Sequence, residues 1–175
     1  MKKRLVFSGF ILAAILAAAP LAAQASEPTL IGNYGSWAAY SFTEDGSKVC
    51  YMASQPKKAE GNYTRRGEIF ALITHRPAEN TKNVFSYITG YEYKPASDAT
   101  VKIDGKRFSL FTQDETAWAP DAARDNKLAL SVRAGSNMVV TGTSKRGTLT
   151  TDTFSLKGSS AAHDAISKEC GVSAK

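Results

Sequence analysis

Alternating apolar and polar positions predict most of the secondary structure of this chain. Short runs rich in β-branched and aromatic residues, bounded by turn residues, are typical of β-strands. They occur at residues 36–42, 49–53, 68–74, 84–93, 137–143 and 148–156, with a shorter run around Trp118. Asp104-Gly105 separates two further alternating runs and predicts a two-residue hairpin, because both turn positions need positive φ. Residues 26–32 are interpreted as a loose polar segment and residues 57–67 as a charged loop.

Helical spacing appears twice. Leu128 and Val132 lie four positions apart, which predicts a short helix over residues 126–134 that begins at Asp125 or Asn126 and ends at Gly135. A last helix is predicted from Ser159 or Ser160 to Cys170, with Ala162, Ile166 and Cys170 on one stripe and His163 at its edge. Seven to nine short strands with one or two short helices favour an all-β fold, a two-sheet β-sandwich, over a closed barrel.

The first 25 residues have the pattern of a cleaved signal peptide. Lys2, Lys3 and Arg4 precede a short apolar run, and Ala23-Gln24-Ala25 matches a signal-peptidase site. The run is shorter than a membrane-spanning helix requires. We therefore expect a single domain over residues 26–175 that is periplasmic and does not span a membrane. An uncleaved N-terminal anchor is the alternative.

The charge balance bears on the class of partner. The 175-residue chain has a net charge of +6, which falls to +3 when Lys2, Lys3 and Arg4 leave with the signal peptide. Nucleic-acid binding requires a dense basic surface, and so modest a charge argues against it.

Cys50 and Cys170 are the two cysteines of the chain. In an exported protein two cysteines predict one disulfide, because the compartment is oxidising. A zinc site with His75 and His163 is the alternative, but zinc sites use closely spaced pairs that this sequence lacks. We predict no metal site and no cofactor.

The sequence contains few side chains that form a recognisable catalytic pattern. Ser155, His163 and Asp152 supply the residue types of a hydrolytic triad, but nothing in the sequence orients them. The Gly142–Gly147 segment is not a nucleophile elbow, because its second glycine comes one residue late. No catalytic residue is predicted, and we expect the protein not to be an enzyme.

The candidate partner-binding residues are basic and aromatic. Phe85, Tyr87, Tyr91 and Tyr93 share one face of the run at 84–93. That face is expected to enter the core, unless a bulge at Gly90 turns Tyr91 and Tyr93 outward for stacking on sugars or a protein partner. Basic pairs in the polar loops are either simply solvated or meet anionic lipids and glycans. The candidate set is Arg65, Arg66, Lys145, Arg146, Tyr91 and Tyr93.

An ordered set of motifs resembles the invasion-associated locus B family. The motifs are Arg66-Gly67, Ile73-Thr74-x-Arg76-Pro77, Gly90-Tyr91, Ala117-Trp118, the 142–148 segment, Ser155-Leu156-Lys157-Gly158 and the two cysteines. The resemblance implies an immunoglobulin-like β-sandwich in the periplasm or cell envelope, and a link of one pathogenic branch to host-cell invasion. The family has no agreed catalytic residues, so none is carried over.

Three functional classes follow. The favoured one is a non-enzymatic envelope protein that binds a partner protein or cell-wall polymer through loops at the end of the sandwich. The second is a periplasmic hydrolase with an unrecognised site. The third is a structural or stress-related envelope factor.

Overall fold

The structure is a computed structural model that describes residues 26–174, so the predicted signal peptide lies outside the described residues. Two α-helices are present in this part of the chain, α1 (Ala122–Ala134) and α2 (Ser159–Glu169). The eleven strands of the same region are β1 (Thr29–Tyr34), β2 (Trp37–Glu44), β3 (Ser47–Ser54), β4 (Lys58–Gly61), β5 (Phe70–Arg76), β6 (Thr81–Ile88), β7 (Ala99–Ile103), β8 (Lys106–Gln113), β9 (Thr116–Trp118), β10 (Asn137–Thr143) and β11 (Leu149–Ser155).

All strand pairs are antiparallel and form two layers that share one strand. The first sheet runs β1-β2-β3-β5-β6-β9-β8, and the second runs β8-β7-β10-β11-β4. Strand β8 pairs with β7 through its first half and with β9 through its last three residues. This sandwich-like, mostly β architecture, with its last helix at the C-terminus, confirms the predicted fold class.

The core lies between the inner face of the first sheet and a layer made of the second sheet and the helices. The Tyr87 ring on β6 meets the Phe154 ring on β11 at 6.2 Å between centroids. The Trp37 indole on β2 donates a hydrogen bond to the carbonyl oxygen of Ser155 across the layers, at 3.1 Å. Helix α2 packs on β1, β2 and β3, while α1 packs on β6. Burial of the two helical stripes therefore stabilises both helices.

The predicted disulfide is confirmed. Cys50 in β3 and Cys170, immediately after α2, are joined with a Cα–Cα distance of 6.0 Å. The Ala162 and Ile166 side chains on the same stripe of α2 are fully buried. The covalent bond and the apolar stripe together hold the last helix against the first sheet.

The predicted Asp104-Gly105 hairpin is confirmed, and a second tight hairpin of the same kind joins β2 to β3. Asp104 and Gly105 have φ values of 45° and 89° between β7 and β8. Asp45 and Gly46 have φ values of 51° and 75° between β2 and β3. Positive φ at both turn positions matches the right-handed twist of the flanking strands, which fixes the register of each pair.

Two segments predicted to be irregular are edge strands. Residues 29–34 form β1 on β2, and residues 58–61 form β4 on β11. The predictions were wrong because an edge strand can be stabilised by backbone pairing on one side. It does not need the apolar alternation on which strand prediction depends.

Two element boundaries also differ from the predictions. Helix α1 begins at Ala122, where the Asp121 carboxylate caps the Arg124 amide at 2.8 Å, instead of at Asp125 or Asn126. The strand predicted over residues 84–93 ends at Ile88. Gly90, with φ of 71°, turns the chain out of the sheet direction.

The outer face of the first sheet is also apolar. Tyr40 and Tyr51 stack there at 5.1 Å between centroids, and Phe111 stacks on Trp118 at 5.6 Å. Antiparallel sheets usually present polar side chains on the face away from the core. Alternation in these strands therefore does not reveal which face is the inner one. No helix within residues 26–174 is long and apolar enough to cross a membrane.

Candidate functional site

A cleft of about 510 Å³ lies between the segment after β4 and the turn that joins β10 to β11. Five of the six candidate partner-binding residues line it, namely Arg65, Arg66, Tyr91, Lys145 and Arg146. The fold thus brings together two basic loops that are about 80 positions apart in the sequence. The candidate residues had been chosen only because they are basic or aromatic.

Backbone contacts hold the walls of the cleft in place. The Gly67 amide donates to the carbonyl oxygen of Gly90 at 2.9 Å. A β-carbon on Gly90 would lie 2.5 Å from the Gly67 oxygen, so this approach needs glycine. On the other wall, the Lys145 amide donates to the Glu92 carbonyl oxygen at 2.8 Å. Both basic segments are therefore anchored to the same stretch that follows β6.

A buried ion pair forms the floor of the cleft. The Arg66 guanidinium donates to both carboxylate oxygens of Asp152 on β11, Nη1 to Oδ1 at 2.7 Å and Nη2 to Oδ2 at 2.6 Å. The two side chains are 4% and 0% exposed. A bidentate pair of this kind is strong because both charges are compensated and oriented.

Further polar groups complete this pair. Arg66 Nε donates to the carbonyl oxygen of Thr89 at 2.7 Å, and the Tyr87 hydroxyl donates to Asp152 Oδ2. Burial and the neighbouring carboxylate raise the pKa of Tyr87. Burial acts to lower the pKa of Arg66, but the hydrogen bond to Asp152 and the charge interactions with Tyr87 and Asp152 together outweigh burial and raise the pKa. The floor therefore holds one positive and one negative charge that cancel.

Two tyrosines enclose the guanidinium. Arg66 Cζ lies 5.0 Å from the centre of the Tyr91 ring and 5.6 Å from that of Tyr63. Tyr91 is held in turn by Tyr93, in an edge-to-face contact at 5.5 Å, and by a 2.7 Å hydrogen bond between its hydroxyl and Thr150. Cation–π contacts of this kind gain strength when water is excluded, so they reinforce the ion pair.

The six candidates differ in how exposed they are. Arg65, Lys145 and Arg146 are exposed at the mouth of the cleft. Lys145 forms an exposed ion pair with Glu92 at 2.7 Å between Nζ and Oε2, whereas no ion pair within residues 26–174 involves Arg65 or Arg146.

Tyr93 is buried, at 5% exposure, and the Arg66 guanidinium is engaged by Asp152. Phe85, Tyr87 and Tyr93 of the aromatic stripe are core, as favoured from the sequence. Tyr91 is half-buried, and its ring lines the cleft.

A second polar cluster is fully buried beneath α2. His75 on β5 and His163 on α2 are both 0% exposed, with their rings 5.3 Å apart. The backbone N–H of Asn83 donates to His75 Nδ1 at 3.0 Å, and the Arg133 guanidinium donates to His163 Nδ1 at 2.6 Å. Since Nδ1 is the acceptor in each ring, both neutral histidines carry their proton on Nε2.

The Nε2 protons have acceptors as well. His75 Nε2 lies 3.1 Å from Ser167 Oγ, and His163 Nε2 lies 2.7 Å from Asn83 Oδ1. Burial, with the positive charge of Lys82 nearby, lowers the pKa of His75 to about 4. Burial, followed by the charges of Arg133 and His75, lowers the pKa of His163 to about 4. The cluster is therefore built for neutral imidazoles.

The triad considered from the sequence is not assembled. Within the described part of the chain, His163 bonds to Asn83, Arg133 and Ser167, while Asp152 is engaged by Arg66. Ser167 lies between the two imidazoles, but at 2% exposure it is closed to a substrate. No group of three or more His, Cys, Asp or Glu side chains among residues 26–174 is arranged to hold a metal ion.

Acidification is expected to destabilise the protein through the histidine cluster. Both histidine pKa values fall from 6.5 to about 4 on folding. The unfolded chain therefore binds more protons in this window, and the free energy of unfolding drops as the pH falls through it. Asp125 opposes the trend, because burial raises its pKa from 3.8 to about 6. The effect of two histidines exceeds that of one carboxyl group. The free energy of unfolding is therefore expected to fall by on the order of 3 kcal/mol between about pH 7 and pH 4.5.

Urea unfolding at the two pH values measures this loss. Asp125→Asn is the informative companion variant. In the wild type the Phe85 N–H donates to Asp125 Oδ1 at 2.9 Å, and the asparagine amide oxygen can still accept this hydrogen bond. The variant has no carboxyl group at this position, so the titration that opposes the histidines is removed. The variant should therefore lose more stability than the wild type over the same interval. Histidine ring signals that titrate near pH 6.5 in the folded protein would contradict the expectation.

The buried ion pair is the feature that sequence reasoning missed. Thr150, Asp152 and Phe154 alternate onto the inner face of β11, where all three are buried. A charged residue at an inward position of a strand needs a buried partner. That alternation was the available signal, although it did not identify the partner as Arg66.

Comparisons with known proteins place the chain in a family. Searches of curated proteins and of solved structures each returned no match. The model of the Invasion associated locus B (IalB) protein family matches residues 37–167. The matched region includes both walls of the cleft, the buried ion pair and the histidine cluster. Since it covers most of the chain, the protein belongs to the invasion associated locus B family.

Proposed function

We propose that this protein is exported to the periplasm or cell envelope and binds a partner there, without catalysing a reaction. Membership of the family supports an envelope role, and the signal-like pattern of residues 1–25 supports export. A role in association with host cells is part of the proposal, and it rests on the name of the family. The partner is an envelope protein or polymer that docks at the cleft.

The single observation that carries the binding proposal is the pair of exposed arginines at the mouth of the cleft. Arg65 and Arg146 stand on opposite walls and have no ion-pair partner among residues 26–174, while the floor beneath them is rigidly bonded. A preorganised site loses less conformational freedom when it binds. Exposed charges at its edge also accelerate encounter with a partner of opposite charge.

The double substitution Arg65→Ser and Arg146→Ser is expected to weaken association with isolated envelopes, most strongly at low salt, where exposed charges are least screened. The thermal midpoint should stay close to that of the wild type, because both side chains are exposed. Co-sedimentation of the purified protein with envelopes, at low and at physiological salt, measures the effect.

Lys106→Ser with Arg107→Ser is the matched control. It likewise removes two exposed basic residues, which lie at the β7–β8 hairpin and away from the cleft. Association that is equally weak in both double variants would show a general charge effect and would refute the cleft as the docking site. Turnover of an ester, glycan or peptide by the purified protein would refute the non-enzymatic part. An unprocessed N-terminus in the envelope fraction would refute cleavage before Ser26.

A further inference from the structure

We propose that the ligand bound in the cleft is an acidic saccharide, a short sugar segment that carries carboxylate groups. This inference rests on the proposed function and names the chemistry of the partner's docking group. Three properties of the walls support it: their charge, their unpartnered polar groups and the kinds of side chain that are missing from them.

The charges of the cleft select an anion. Arg66 is neutralised by Asp152 within the floor, and Lys145 is paired with Glu92 at the mouth. The positive charges of Arg65 and Arg146 remain, and Glu92 is the acidic residue in the lining. The guanidinium group matches a carboxylate in a bidentate geometry. Two unpaired guanidinium groups on opposite walls therefore suit a ligand with more than one carboxylate.

The neutral polar groups select a ligand rich in hydroxyls. Asn62, Thr64 and Thr148 line the cleft, and no hydrogen bond within residues 26–174 uses their side chains. Ser144 Oγ accepts from the Thr148 amide at 3.1 Å, which leaves its own proton to donate. These amide and hydroxyl groups can both donate and accept hydrogen bonds. A sugar presents hydroxyls of the same dual character along its whole length.

The missing side chains argue against a lipid chain or an apolar peptide. The lining contains no Ala, Val, Leu, Ile or Met, and its aromatic rings are those of Tyr63 and Tyr91. Ligand pockets for apolar groups are lined mainly by hydrophobic side chains. Tyrosine rings instead provide a rigid contact surface with one apolar and one polar end. The volume of about 510 Å³ lies within the usual range for small ligands.

Two matched pairs of sugars test the ligand class. Trigalacturonate is compared with its neutral methyl ester, and disialyllactose with lactose, by calorimetry at about 0.15 M salt, where exposed charges are screened as in physiological solution. At least one acidic sugar should bind the full mature protein at least about tenfold more tightly than its neutral counterpart, because charge-assisted hydrogen bonds are the stronger kind. Which one binds distinguishes uronic from sialic acid recognition.

The protein variants locate the site. Arg65→Ser with Arg146→Ser should weaken binding of that sugar by about tenfold or more, whereas Lys106→Ser with Arg107→Ser should leave it unchanged. Failure of both acidic sugars to bind, or equal binding of acidic and neutral forms, would overturn the inference. So would tighter binding of a triglutamate peptide, because an acidic protein segment would then be the better ligand.

The two proposals can fail separately. If envelope association depends on Arg65 and Arg146 but neither acidic sugar binds, the docking site stands and the saccharide inference is wrong. If an acidic sugar binds at the cleft but envelope association is unchanged in the double variant, the ligand class stands and the docking proposal is wrong.

Discussion

Replacing Asp152 by alanine is expected to lower the free energy of unfolding by about 3–5 kcal/mol, the usual cost of leaving a buried charge without its partner. Arg66 keeps its positive charge at any accessible pH, and its side chain is 4% exposed. The loss of Asp152 would also leave the Tyr87 hydroxyl without its acceptor. Urea unfolding of the variant at neutral pH measures the loss.

A second variant separates the unpaired charge from the loss of packing. Arg66→Met combined with Asp152→Leu removes both charges and keeps the volume, so it should be much more stable than Asp152→Ala alone. Glu92→Ala serves as the control for an exposed pair, because its partner Lys145 stays hydrated, and it should change stability little. An Asp152→Ala variant as stable as Glu92→Ala would show that the floor of the cleft is not held by this ion pair.

Removing the disulfide by Cys50→Ala with Cys170→Ala is expected to cost up to about 5 kcal/mol in the chain-entropy model. The bond closes a loop across a sequence separation of 120 residues, so it restricts the unfolded chain strongly. It also anchors α2, an eleven-residue helix that is too short to be stable alone in water. Urea unfolding under oxidising conditions measures the effect.

Reduction of the wild-type protein provides the matched test. The reduced wild type and the double variant should unfold at similar urea concentrations, and both should lose protection from proteolysis first at residues 159–174. Hydrogen exchange at α2 reports the same local opening. If the double variant kept wild-type stability and a protected α2, the apolar stripe of the helix would be sufficient without the bond.

Local chemistry in the sequence determined much of the fold. The Asp-Gly pairs set the tight hairpins because their positions require positive φ. Arg76-Pro77 ended β5, because proline removes a donor and restricts the residue before it. The four-residue spacing along α2 correctly predicted its buried stripe. The pairing of Cys50 with Cys170 followed from their number and the expected compartment.

The basic character of the two loops was also visible in the sequence, but their meeting was not. Residues 62–66 and 144–148 form one cleft because the Gly67 amide bonds to Gly90 and the Lys145 amide bonds to Glu92. These are long-range backbone contacts without a local pattern. Among the basic residues, only burial distinguishes Arg66 from its neighbour Arg65.

The first sheet shows why the sequence alone determined the strands but not their inner face. Leu72 and Ile73 are adjacent apolar residues on β5, and only Ile73 is fully buried. A period of two specifies which side chains share a face, but it indicates the core only when the other face is polar. The tertiary structure made that choice, since the second sheet and the helices cover one face. It thereby also placed His75, Tyr87 and Asp152 where their polar atoms had to find partners, because an unpaired polar group in the core carries the full cost of its lost water.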